Sequence, residues 1–369
     1  MLACASVAHW LVVPETADSD YRNVYHMIAS IQGFLTCLLA AFCFFLLPRF
    51  TVLSFPKTWI WLVGFAAPVG TVLSAWLRFA APDEIMLAVA MVFWGISVLA
   101  LLIFVFPLLR TRKTESDPIY LILMGSALLF GCLGTVLVST YSTIQIVTLR
   151  EIQSILLLGR GYLLQGMFLM VFLAGLSFVF SLNKPGGEVR RPDHPTVGFI
   201  LTLVLLFTAS IPIEIFVSSR TGFGLRSALL VTALLRTMPS KTSGNASFLL
   251  STIRLSAWSI PVGYAIPVLA PGLRDAGLHI VFMTGFVMGF FAMITCSLLA
   301  LTPHLKPGCD RPRSAGWFPL LLILATLIRM AADMAPADQL LWLRHSTIVF
   351  IGAVLAWLYL LGRLLKRME

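Results

Sequence analysis

The chain has 369 residues, 59% of them hydrophobic and only 11% charged, and its mean hydropathy is +0.94. A soluble domain carries about 25% charged residues, so soluble, secreted and disordered classes are excluded and the chain reads as an integral membrane protein. The net charge of +10 does not point to nucleic acid, because the 26 Lys and Arg are spread through the breaks between apolar runs and form no patch.

The apolar runs are continuous and about 20 to 25 residues long, enough to cross a hydrocarbon core of about 30 Å as helix. A membrane barrel would instead alternate apolar and polar over segments of about ten residues. The predicted fold is therefore all-α, a polytopic transmembrane bundle of 11–12 helices. Residues 1–24 form a segment on the outer side, with Leu2–Val13 too short to cross and read as a truncated or re-entrant helix; residues 25–369 form a single transmembrane domain. No Lys or Arg precedes Leu2, which argues against a signal peptide.

In chain order the predicted spans are 25–47, 58–79, 85–109, 118–140, 160–182, 196–218, a short one at 223–236, 247–270, 278–302, 316–336 and 343–365. Between Tyr141 and Gly159 lies an amphipathic stretch with Arg150 and Glu151 at its middle, expected as an interfacial helix. Alternate loops hold sixteen of the 26 basic residues, ending with Arg363, Lys366 and Arg367 in the tail, while the others are led by acids or single arginines, such as Asp83 and Glu84. Short cytoplasmic loops are enriched in Lys and Arg. The alternation therefore predicts a multi-pass protein that starts outside and ends with a cytoplasmic C-terminus, its one obligate partner being the lipid bilayer. Cys4, Cys37, Cys43, Cys132, Cys296 and Cys309 include no CxxC spacing, and buried Cys serves as a small apolar residue. Asn245-Ala-Ser247 matches a glycosylation sequon but falls in a cytoplasmic loop.

Ionisable side chains inside lipid cost at least about 2.5–3.5 kcal/mol each and mark functional candidates. Arg329 and Asp333 stand four apart and are expected to neutralise each other. Glu214, beside Pro212, and Arg254 must face the bundle interior or a wet cavity. Of the six histidines, His26 opens the first span and His279 the ninth. Both helices run inward, so the two imidazoles share one depth, each followed by a Gly-Phe pair, Gly33-Phe34 and Gly285-Phe286. His345 also lies near the outer end of its span, whereas His194 and His304 fall on the cytoplasmic side. Neutral imidazole is the commonest metal and haem ligand, so His26, His279 and His345 are metal-ligand candidates, and Met283 adds a soft sulfur suited to copper. A lone interfacial His is otherwise a wetted polar residue, and a core Met a gap filler. Arg160, Arg226 and Arg344 stand at outer helix ends, where guanidinium groups either clasp carboxylates such as haem propionates or snorkel to headgroups. Gly285-x-x-x-Gly289 permits close helix approach.

Three stretches resemble the NnrS family of bacterial inner-membrane proteins with about twelve helices. YHMIASIQGFLTCLLAAFCFFLLPRFT (25–51) is similar to its His-Glu-Met, Gly-Phe and Pro-x-x-Thr helix; WSIPVGYAIPVLAPGLRDAGLHIVFMTGFVMGFFAMI (258–294) to its Trp, Gly-Tyr, Leu-His and Gly-rich run; and LLILATLIRMAADMAP with the Trp357 helix to its end. The sequence departs from the pattern at Met27, where the family has Glu, at Ala174-Gly175-Leu176, where it has Gly-Gly-Arg, and late in the ninth span, where an Arg is absent. The Phe-Arg-Pro-Phe-Phe start of the family's first helix is missing too. The resemblance implies a haem and copper protein linked to nitric oxide metabolism and resistance to nitrosative stress, with His26 and His279 as the metal-linked histidines, nitric oxide as ligand and an unspecified redox partner. It leaves open whether the protein is an enzyme. The competing readings are a metal-free transporter using Glu214, Arg254 and Arg329 in an interior path, and a membrane assembly factor.

Overall fold

The computed structural model describes residues 57–80, 118–144, 149–182, 194–238, 248–301 and 316–366, with Leu11, Cys37 and Gly95 as single positions. The segment 1–24 and the expected spans 25–47 and 85–109 lie outside the described residues. Every element described is helical. Helix α1 is Lys57–Ala80 and α2 is Pro118–Ile144; α3 is Leu149–Arg160, which opens into a wide π turn at Gly161–Met167 and continues as α4, Phe168–Leu182. Then come α5, His194–Phe216; α6, Ser219–Thr237; and α7, Phe248–Leu269. Helix α8, Arg274–His279, follows a 3-10 turn and passes through a second π turn, Ile280–Val287, into α9, Met288–Leu301. The chain ends with α10, Trp317–Met334, and α11, Gln339–Lys366.

Among the described residues five stretches are long and apolar enough to cross a membrane: Leu157–Ser177, Thr196–Phe216, Pro271–Leu299, Trp317–Met334 and Gln339–Lys366. The protein is thus a multi-pass, all-α membrane protein. Helices α6 and α7 have span-like lengths of 19 and 22 residues, but Arg220, Arg226 and Arg236 lower the apolarity of the first, and Arg254 with several serines that of the second. Helix α6 starts about a turn earlier than expected because Ser218 caps it, its Oγ accepting from the Thr221 N–H at 3.3 Å. The stretch 141–159 is not one interfacial helix: residues 141–144 finish α2, and α3 runs unbroken into the following span. Nothing in 149–160 breaks a helix, since it holds neither Pro nor an Asn or Asp turn signal.

The chain divides into two compact units, residues 1–174 with 189–215 and residues 175–188 with 216–369. In the first unit α2 packs against α3 and its π turn. A Cβ on Gly134 would fall 2.8 Å from the Gly159 carbonyl oxygen and 2.9 Å from the Leu163 nitrogen, and one on Gly166 would fall 2.8 Å from the Phe130 ring. Only glycine lets two backbones approach this closely.

The second unit repeats the device. Helix α7 packs on the second π turn, and a Cβ on Gly263 would fall 2.6 Å from the Gly277 oxygen and 3.0 Å from the Val281 nitrogen, while one on Gly285 would meet Ile260 at 2.6 Å. Pro267, having no N–H, removes the helical partner of the Gly263 carbonyl. The hydroxyl of buried Ser256 donates to the Gly285 carbonyl, Ser227 ties α6 to α7 by donating to the Pro261 oxygen at 2.9 Å, and Ser346 ties α11 to α10 through the Ala325 oxygen at 2.9 Å. Trp357 lies flat on Phe291, centroids 4.0 Å apart, and its Nε1–H reaches Thr295 Oγ1 at 3.1 Å. With few apolar contrasts between helix and lipid, these hydroxyl and aromatic contacts fix which helix meets which.

Candidate functional site at the second wide turn

His279 is the last residue of α8, directly before the π turn. Its Nδ1 lies 2.7 Å from the Asp275 carbonyl oxygen. A carbonyl only accepts, so in the neutral ring Nδ1 carries the proton and Nε2 the lone pair. This is the arrangement by which a backbone carbonyl fixes the tautomer and aim of a ligating histidine. The ring is partly buried. Gly277 and Val281 face α7, and His279, half a turn away from both, looks away from that helix. π turns are rare and concentrate at functional sites, and this one holds Met283, also partly buried.

Thr284, in the same turn, donates to Thr326 Oγ1 of α10 at 2.9 Å, and the Thr326 hydroxyl in turn donates to the Leu322 oxygen at 2.8 Å. On α10, Arg329 and Asp333 form the expected ion pair and are only 15% and 11% exposed.

Arg226 is wholly buried, which rules out snorkelling to headgroups. Its guanidinium lies 5.1 Å from the Phe223 centroid and 5.8 Å from that of Tyr264. Arg274, which the sequence reading did not single out, approaches the same Phe223 ring at 5.7 Å. Phe223 stands three residues before Arg226, a same-face spacing visible in the sequence, but Tyr264 and Arg274 arrive from elements whose packing no spacing reveals.

The remaining candidates are dispersed. His345 is exposed on α11, its Nδ1 donating to the Leu341 oxygen at 2.8 Å, while the neighbouring Ser346 and Thr347 are buried. Arg344, Glu214 and Arg254 are partly buried. Arg160 occupies in the first unit the place His279 has in the second, the residue before a π turn, and is partly buried. His26 lies outside the described residues. Among the described residues no three His, Cys, Asp or Glu side chains are grouped to hold a metal ion.

The model of the NnrS protein family matches residues 1–368. No curated protein and no solved structure matches the chain.

Proposed function

The chain belongs to the NnrS family, and from that premise we propose that it is a haem-binding protein of the bacterial inner membrane acting in nitric oxide metabolism and protection against nitrosative stress. The observation that carries the reading within the chain is the place of His279 at the head of a π turn, its Nδ1–H held by the Asp275 carbonyl as in a ligating imidazole; His345 makes the same bond to the Leu341 carbonyl but borders no π turn. The described residues fit one imidazole ligand to haem iron. Met283, in the same turn, would add a soft thioether suited to copper.

When bound, haem would supply an iron able to take nitric oxide or to pass electrons. The chain's own residues do the rest. The Asp275 carbonyl fixes the imidazole's orientation and raises its basicity, and Arg226 lies buried against the rings of Phe223 and Tyr264. By the charge pattern His279 faces the outer side and the C-terminus lies in the cytoplasm.

The test is an absorption spectrum with metal analysis on the purified full-length protein. A Soret band in the wild type that is lost in His279→Ala or His26→Ala supports the reading. A colourless, metal-free and folded wild type overturns it in favour of a transporter or assembly factor.

A further inference from the structure

Thr326, Arg329 and Asp333 stand at i, i+3 and i+7 on α10, which is one helix face. Thr326 fixes where that face looks, because its hydroxyl accepts from Thr284 on the His279-bearing helix at 2.9 Å. His279 and Thr284 are in turn five apart across the π turn, whose i→i+5 bonding puts them on one face. Helix α8 also packs on α10, and since α9 and α10 are consecutive spans they run antiparallel. Counting away from the Thr–Thr bond at about 1.5 Å per residue, Arg329 lies about 4.5 Å, His279 about 7.5 Å and Asp333 about 10.5 Å toward the same end. The level of the imidazole falls between the two charges.

Asp333 uses Oδ1 for Arg329. Its Oδ2 is buried with no hydrogen-bond partner among the described residues. An acceptor left in that state costs free energy that a ligand or its water recovers by supplying a donor. The same Coulomb logic applies to the pair: in a site of low dielectric, a carboxylate and a guanidinium act on a bound cofactor far more strongly than they would in water.

We propose that Arg329 and Asp333 are positioning residues of the His279 site, forming its polar wall: Asp333 Oδ2 accepts a hydrogen bond from the ligand or its water, and the two opposite charges tune a haem held there. The assignment rests on the haem reading. On this assignment the pair does more than neutralise itself within one helix.

The experiment uses full-length protein in detergent, carrying haem, and reads the C–O stretch of the ferrous carbonyl form and the midpoint potential. Asp333→Asn removes a negative charge and raises the potential; Arg329→Gln removes a positive charge and lowers it; the stretch shifts in opposite directions in the two variants, and Arg329→Lys stays near the wild type. Should either single variant fail to fold, Asp333→Glu keeps both charges but moves the carboxylate along the wall, and a shifted stretch is expected there too. Haem-loaded variants with wild-type stretch and potential overturn the assignment while leaving the haem reading intact. A wild type that binds no haem overturns that reading, and this assignment with it.

Discussion

Arg226 shows how a single residue changes meaning between sequence and structure. In the sequence it is one more arginine at an outer helix end, open to snorkelling or to clasping a carboxylate. Folded, it has no exposed surface and lies against Phe223 and Tyr264. Desolvated cation–π contacts are worth about 2 kcal/mol or more, so Arg226→Met is expected to cost about 2 kcal/mol, whereas Arg274→Met, at an exposed residue, changes stability little. Thermal unfolding of the detergent-solubilised protein followed by size-exclusion chromatography reads both. His279 was legible from its place at the head of a span, but the carbonyl that orients it was not, because an i to i−4 ring contact depends on the rotamer. For His345 the sequence offered a third ligand near the same end, and the structure puts it exposed on α11.

At the level of elements, the spans were readable and their interior irregularities were not. Apolar run length predicts a helix at 278–302, and a helix is there, yet nothing in IVFMTGFV separates a π turn from an α turn, since the two differ by one residue per turn of hydrogen bonding. The glycines were a partial signal. Gly285-x-x-x-Gly289 marked a close approach, and Gly285 does meet Ile260 of α7, but the tighter contact is between Gly263 and Gly277, which no repeat announced. Gly263→Ala would push a Cβ into backbone atoms that cannot swing aside, so a loss of about 1–3 kcal/mol is expected, the range for overpacking. Gly64→Ala on α1 meets nothing within 4 Å and is expected to be neutral or to stabilise by up to about 1 kcal/mol through helix propensity. The same thermal measurement distinguishes them; equal effects would mean that the α7 contact is looser than described. Trp357→Phe keeps the stack on Phe291 but drops the Nε1 bond to Thr295, with an expected cost of about 0.5–1.5 kcal/mol.

For the whole molecule, composition and apolar run length settle the class before any packing is considered, and the family match over residues 1–368 agrees with the resemblance carried by the ends of the chain. What composition leaves out is which faces meet, because in lipid the inward and outward sides of a span are almost equally apolar. Leu205, Leu327, Ile348 and Leu355 are exposed, and among the described residues hydroxyls, glycines, buried Arg226 and the Arg329–Asp333 pair distinguish the inner sides. Charge does encode orientation. Gly272→Cys, in the turn before α8, should react with an impermeant maleimide added outside the cell, and Lys366→Cys only after the cytoplasmic side is opened; the reverse pattern would invert the topology and with it the side on which His279 opens.

The most direct measurement is haem per chain by the pyridine haemochromogen method, in wild type, His279→Ala and His345→Ala purified alike. The account predicts haem in the wild type and in His345→Ala and little or none in His279→Ala; equal haem in all three, or none in any, would contradict it.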